Sequence, residues 1–360
     1  MDYTDNVDYQ YPLLKKISEY YRTIPHDVGD VYLACCQHML EPQLHMFEEL
    51  IDFGFNPAKI FVLGKIYSTN TEVFSKLSSL GIHAVQPDFL EGSFDEEHKN
   101  NCRRLIEMIP DSAECIVLDD GAELIKNFVD INKRVLFAVE QTSSGFRKLE
   151  NQEIPFPILN VARSATKLMQ ESPLIARHAY ERMKEYFSDK GIISPHILVV
   201  GLGPIGEAVK EIFEEDGFSI AGFDIKYGHT DLLAFISATK PDVVIGATGV
   251  SILTEGEIEQ LPSDKPMYLI SISSSDREFP VAFFRKGDNP THSDTQYKNF
   301  IFVNNGFPVS FMGNRYELTP IEIEKTLCLL VGAVMYGTTM KGFENGLCDL
   351  PRELEGLINE

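Results

Sequence analysis

The chain has 360 residues, enough for two domains of ordinary size, each with its own core. Apolar residues make up 44% and charged residues 24%, proportions of a globular protein that exclude fibrous and disordered classes. The 54 acidic against 32 basic residues give a formal net charge of -22, which opposes nucleic acids and anionic membranes by repulsion.

Residues 10–24 form a short amphipathic stretch. Apolar runs of strand length then alternate with helix-period segments: Val31–Cys36, Lys59–Leu63, Cys115–Leu118 and Arg134–Val139. Such alternation predicts a parallel sheet with helices on both faces, so the first half is itself an α/β domain. The six cysteines, Cys35, Cys36, Cys102, Cys115, Cys328 and Cys348, show no CxxC pair and no Cys/His cluster at metal spacing. They read as reduced thiols, with no metal site expected. The acidic start, Met1-Asp-Tyr-Thr-Asp-Asn-Val-Asp, lacks the regions of a signal peptide, and no apolar run approaches a membrane span, so a cytoplasmic location is expected.

Thr166–Lys190 is helix-compatible apart from Pro173 and bridges the two halves. It leads into His196-Ile-Leu-Val-Val-Gly-Leu-Gly-Pro-Ile-Gly, a buried strand, a turn holding Gly201, Gly203 and Gly206, and a helix start with Pro204 and Ile205. In a dinucleotide-binding turn the first glycine permits the bend, the second admits a pyrophosphate and the third lets helix pack on strand, with the anion on the helix N-terminus. A second apolar run ends at Asp224, 18 residues beyond Gly206, where a carboxylate accepts from ribose hydroxyls and favours NAD over NADP. Lys226 close by weakens that choice. A third strand, Asp242-Val-Val-Ile-Gly, runs into Ala247, Thr248 and Gly249, small residues that let backbone pass beside a dinucleotide. Strands at 267–272 and 300–303 and a helix at Thr319–Met340 complete the pattern.

The expected fold class is α/β, with two doubly wound parallel-sheet domains and a cleft between them. Residues 1–162, completed by a helix at 318–345, would bind substrate, residues 163–317 would be a Rossmann NAD-binding domain, and residues 346–360 a short tail.

Several segments, in order, resemble those of the S-adenosylhomocysteine hydrolase family. Cys36-Gln-His-Met resembles Cys-Leu-His-Met, and Ile66-Tyr-Ser-Thr resembles the last four residues of Asn-Ile-(Phe/Tyr)-Ser-Thr. Leu118-Asp-Asp-Gly matches the family's own tetrapeptide, and Glu140-Gln-Thr-Ser-Ser-Gly resembles Glu-Glu-Thr-Thr-Thr-Gly. Pro157-Ile-Leu-Asn-Val and Ser164-Ala-Thr-Lys resemble Pro-Ala-Ile-Asn-Val and Ser-Val-Thr-Lys. The resemblance implies tightly held NAD, transient oxidation of a ribose 3′-hydroxyl, loss of the acidified C4′ proton, elimination of a 5′ thiol, addition of water and return of the hydride.

It also implies roles. Lys167 would assist the 3′-oxidation with Glu171 one turn on, where the family has an Asp, and His38 and Asp120 would move protons near C4′ and C5′. Leu40, Gln141 and Thr319 would contact substrate. Thr142, Ser143 and Ser144 would lie near the nicotinamide ribose, and Ile272, Ser273, Ser274 and Ser310 would join the glycine turn around NAD. On the residues alone, His38 reads first as a structural histidine at a strand end, Asp119-Asp-Gly as a turn, and Lys167/Glu171 as a helix ion pair.

Departures from the family accompany these matches. Gln141 stands for a ribose-binding glutamate, Ala162-Arg163 for Asn-Asp, Ser172 for an Asn, Ser274 for a histidine, and Thr319 for a second histidine before proline. The family's Lys/Tyr-bearing tail has no counterpart after Leu350-Pro-Arg-Glu-Leu-Glu, which leads to the expectation of looser NAD and a homo-oligomer that is a dimer or a tetramer. Three functions are therefore open: an NAD-dependent hydrolase or lyase acting on a nucleoside or nucleoside thioether with altered substrate choice, a net nucleoside 3′-dehydrogenase, and a catalytically silent NAD- or nucleoside-binding homologue.

Overall fold

The chain opens with helix α1 (Pro12–Arg22), whose Leu14, Ile17 and Tyr21 share one buried face. Burying each such side chain contributes about 1.5–3 kcal/mol. The computed structural model describes residues 9–87, 92–262, 264–285, 291–314 and 318–359, without the side chains of Gln170, Glu171 and Asn314. They divide into two compact units, one from the described residues of 1–88, 98–170 and 317–360, the other from those of 89–97 and 171–316.

In the first unit β1 (Tyr32–Cys36), α2 (Glu41–Phe53), β2 (Ile60–Leu63), α3 (Thr71–Ser79), β3 (His83–Val85), α4 (Phe94–Glu107), β4 (Cys115–Asp119), α5 (Glu123–Ile131), β5 (Val135–Glu140), α6 (Ser143–Leu149) and β6 (Pro157–Asn160) follow one another. The first turn of α4 groups with the second unit. Helix α7 (Ala165–Lys190) begins in the first unit and ends in the second, with Pro173 inside it. The second unit continues through β7 (Ile197–Val200), α8 (Pro204–Glu215), β8 (Ile220–Phe223), α9 (Leu232–Thr239), β9 (Val243–Gly246), α10 (Glu255–Gln260), β10 (Met267–Ser271), β11 (Thr295–Tyr297) and β12 (Phe300–Phe302). The chain returns to the first unit as α11 (Pro320–Thr339), β13 (Gly346–Asp349) and α12 (Arg352–Asn359).

Both units are doubly wound sheets. The first has the order β13-β6-β5-β4-β1-β2-β3, with every pair parallel. The second has the order β11-β12-β10-β9-β7-β8, parallel except for the edge strand β11. Ile60-Phe-Val-Leu is apolar without alternation and wholly buried, as a strand covered on both faces must be. One face of the first sheet carries the core around Ala34, Val117, Ala138 and Ile158, while α11 packs among α1, α2 and α12. The segment 346–360 is more than a tail: β13 pairs in register with β6, and α12 buries Leu354 and Ile358.

Each winding reverses once. In the first unit the chain goes from β1 to β2 and β3 on one side and to β4, β5 and β6 on the other; in the second it goes from β7 to β8 and then to β9 and β10. The carboxyl ends of the strands flanking such a reversal leave a crevice free of crossover helices.

Candidate functional site

In the first unit the reversal separates β1 from β4, and residues just beyond their carboxyl ends meet there. His38 Nε2 lies 3.3 Å from Asp120 Oδ2, and its Nδ1 lies 2.5 Å from the Ser68 hydroxyl. Gln141 Nε2 donates to the same Asp120 oxygen at 2.6 Å. The Lys65 ammonium ion-pairs with Oδ1 of Asp120, and both side chains are almost wholly buried. The Lys167 ammonium donates to the backbone carbonyl of Gln141. Asp120, Gln141, His38 and Lys167 are thus brought into one network, with Lys65 and Ser68 added to it.

The electrostatics follow from burial and pairing. Burial pushes the Asp120 carboxyl up, but Lys65 and His38 overcome it and hold the carboxyl well below the usual carboxylate range. Burial likewise disfavours the Lys65 ammonium, and Asp120 outweighs it, leaving Lys65 above the usual lysine value. Burial drives Tyr67, beside Lys65, up to about 12.

A second layer braces the first. Glu140, fully buried, accepts from the backbone N–H groups of Gly121 at 3.1 Å, Ala122 at 2.9 Å and Thr142 at 2.7 Å, and from the Thr142 hydroxyl at 2.7 Å. Burial raises its carboxyl to about 7 against those hydrogen bonds, and burial holds neighbouring Asp119 well above its usual range. On α4, His98 Nε2 lies 3.5 Å from the Cys36 sulfur and 3.9 Å from that of Cys102. The Cys102 thiol and His98 hold the Cys36 thiol well below its usual range against burial.

Several buried polar atoms along these strand ends have no partner among the described residues: Oε1 and Nε2 of Gln37, Oε1 of Gln141 and Oδ1 of Asn160. An unpaired buried polar atom costs about 1–3 kcal/mol. Gln37 and Gln141 directly follow β1 and β5, and Asn160 is the last residue of β6.

The second unit places its glycine turn at its own reversal, between β7 and β9. Gly201 has φ of 92°, and a Cβ there would meet Thr248 Cγ2 at 2.7 Å. A Cβ on Gly206 would lie 1.9 Å from the Gly201 carbonyl oxygen, so helix and strand approach too closely for any side chain. Gly203, the N-cap of α8, has nothing within 4 Å of its Cβ position, and no side chain caps the helix. That open, uncapped start with Pro204 and Ile205 in its first turn is the shape a pyrophosphate requires. Asp224 directly follows β8 and reaches back to the glycine turn, accepting from Leu202 N at 2.6 Å and from Lys226 N at 2.8 Å. Burial raises the Asp224 carboxyl, yet those two N–H groups hold it below its usual value. Lys226 donates to the Leu202 carbonyl and lies 3.0 Å from Glu207.

Other expected residues fall as follows. Thr142 caps α6, accepting from Gly145 N at 2.9 Å, and Ser143 and Ser144 open that helix. Leu40 is buried at the N-cap of α2. Thr319 sits at the N-cap of α11, its backbone N–H donating to Glu322 at 2.9 Å. Ala247, Thr248 and Gly249 follow β9, while Ile272 is buried, Ser273 half-buried and Ser274 exposed after β10. Ser310 lies in the short 3-10 segment Val309–Asn314. The Glu171 side chain lies outside the described residues. The sequence reading missed Glu278, which is buried and accepts from Thr248 N at 2.6 Å, Gly249 N at 3.0 Å, Ser271 Oγ at 2.7 Å and Ser273 Oγ at 3.1 Å, tying the loops after β9 and β10 together. Ser68 lies within the stretch Ile66-Tyr-Ser-Thr and Lys65 directly precedes it, but neither carries a motif signal of its own. No described helix is long and apolar enough to cross a membrane.

No family model matches the chain. It is 30% identical over 339 residues to an uncharacterized protein of Mycobacterium tuberculosis, the same in strains CDC 1551 and H37Rv, covering 87% of this chain and 65% of that protein. The chain therefore spans 65% of the length of these curated relatives. An S-inosyl-L-homocysteine hydrolase of Methanopyrus kandleri is 26% identical over 222 residues, 53% of this chain and 50% of that protein. Among solved structures, an NADPH-dependent glyoxylate/hydroxypyruvate reductase of Sinorhizobium meliloti aligns with a TM-score of 0.39 and 12% identity over 83% of this chain and 91% of its own.

Proposed function

We propose that the protein is an NAD-dependent enzyme that transiently oxidises a nucleoside or nucleoside thioether in the manner of the S-adenosylhomocysteine hydrolases. The observation that carries this reading is the gathering of His38, Asp120, Gln141 and Lys167 at one strand reversal, in a chain whose second unit holds a glycine turn at its own. The distant likeness to an S-inosyl-L-homocysteine hydrolase supports it.

The glycine turn fits NAD. Gly203 leaves room for a pyrophosphate, which the N-terminal N–H groups of α8 would hold, and Asp224 would hold an adenosine ribose. When bound, NAD supplies the acceptor for a hydride from a carbinol carbon. The chain's own residues do the rest. Lys167 offers an ammonium that can take its hydrogen bond to a ligand hydroxyl instead of the Gln141 carbonyl. His38, held between Ser68 and Asp120, moves protons. The unpaired amide oxygens of Gln37 and Gln141 and the unpaired Asn160 Oδ1 accept from sugar hydroxyls.

The test is to denature purified protein and look for released NAD by mass spectrometry, then to add S-adenosylhomocysteine, S-inosylhomocysteine and free nucleosides while following nicotinamide reduction and thiol release. Turnover lost in Lys167→Ala with NAD binding retained supports the reading. Bound NAD with no reduction by any nucleoside overturns it in favour of a silent binding homologue.

A further inference from the structure

We propose that Lys65 is a positioning residue, whose buried ammonium on Oδ1 of Asp120 fixes that carboxylate as the anchor of His38 and leaves the imidazole as the group that moves protons. The inference rests on the proposed reading of this site and deepens it. The family pattern that Ile66-Tyr-Ser-Thr resembles carries a neutral Asn at this position, so the buried cation is a feature of this chain.

Both carboxylate oxygens have partners among the described residues. Oδ1 takes Lys65, and Oδ2 takes Gln141 at 2.6 Å and faces His38 at 3.3 Å. Asp120 is 3% exposed and Lys65 3%, so neither charge has water to fall back on. A buried carboxylate paired in this way remains an anion and does not itself take up a proton in turnover. His38 is differently placed. It is half-buried, and its other nitrogen meets the Ser68 hydroxyl, a group that can both donate and accept and so relay a proton to the ring.

The balance of charge supports the assignment. Where the family has a second glutamate, this chain has Gln141, whose amide donates to Asp120. Lys65 and Asp120 cancel, so this buried ion pair adds no net charge to the network.

The experiment is a carbon-13 carboxyl titration of Asp120 by NMR in full-length protein, with the wild type, Lys65→Met and Lys65→Arg, together with the stability of the double variant Lys65→Met/Asp120→Asn. In the wild type the Asp120 signal should not titrate over roughly pH 4 to 9. In Lys65→Met it should titrate within that range, and Lys65→Arg should restore the flat response. An Asp120 signal equally flat in Lys65→Met overturns the proposal. Should Lys65→Met fail to fold, the double variant, which removes both charges, should fold and be more stable than Asp120→Asn alone; additive losses overturn the proposal. Neither readout needs a substrate. Absent turnover with the expected titration therefore sinks the proposed function and leaves the role of Lys65 standing. With turnover in hand, Lys65→Met should shift the acid limb of the kcat profile upward in pH, whereas a structural role alone lowers the amount of folded protein and leaves that limb in place.

Discussion

Gln141 Nε2 donates to Asp120 Oδ2 at 2.6 Å, giving the buried carboxylate a neutral donor in a place where a second carboxylate would repel it. Gln141→Glu is expected to lower stability by about 1–3 kcal/mol at neutral pH, because it removes a donor and adds a like charge. The loss should shrink in acid, where the two carboxyls share a proton. Denaturant unfolding of both forms at neutral and acid pH checks this, and an equally stable variant at neutral pH contradicts it.

Glu140 gives the protein a pH signature of its own. Its carboxyl is raised by burial from 4.5 to about 7 in the fold, so on raising the pH the unfolded chain gives up this proton first. Stability should fall between about pH 4.5 and 7, by at most about 1.4 kcal/mol per pH unit, and then level off. Asp120 acts in the other direction: held below its usual 3.8, it adds stability that is lost as pH falls below about 4. The difference between wild-type and Glu140→Gln unfolding free energies, measured across this range, should show the first slope and not the second.

The glycine turn separates shape from ligand. Gly206→Ala places a methyl 1.9 Å from the Gly201 carbonyl oxygen and should cost about 1–3 kcal/mol along with NAD binding. Gly203→Ala meets nothing within 4 Å and should leave thermal stability unchanged while weakening NAD binding. Calorimetry with added NAD on both variants tests the pair, and full-strength binding by Gly203→Ala would contradict a pyrophosphate at that point.

Helix α12 holds the start of the helix that carries Lys167. Glu355 accepts from Ala165 N at 2.9 Å and Thr166 N at 3.3 Å, and Asn359 Nδ2 donates to the Thr166 hydroxyl at 2.8 Å. Losing this cap in Glu355→Ala should cost about 0.5–2 kcal/mol and speed amide exchange at residues 165–167. Unchanged exchange there would show that α7 needs no such brace.

All six cysteines are free and five are buried, leaving Cys348 half-buried. An aromatic disulfide reagent should therefore titrate one thiol in native protein and six after denaturation, and Cys348→Ser should abolish the native reaction. Fast native labelling of Cys36, whose thiol is held low, would instead reveal opening of α4.

The elements and their class are legible in the order of residues alone. Strand runs such as Ile60–Leu63 are apolar without alternation, the pattern of a strand buried on both faces, and their alternation with helix-period segments implies parallel sheets. The glycine turn is legible because its constraints are local: a positive φ at Gly201 and a helix close to its own strand at Gly206 act within a few residues. The role of the last residues is not legible, since Gly346–Asp349 is too short and too mixed to announce a strand before β6 offers it an edge.

Which residues meet is settled by the folded chain and by nothing shorter. Strand order depends on which side of the sheet each crossover falls, a choice that no apolar run encodes, yet it is this order that puts His38 beside Asp120 and the glycine turn beside Thr248. Lys65 and Asp120 are 55 positions apart, and Glu355 and Ala165 are 190 apart. A lone lysine after an apolar run reads as a solvated surface charge. It becomes the partner of a buried carboxylate only when β2 and β4, on either side of β1, end at the same edge of the sheet and close water out around both charges.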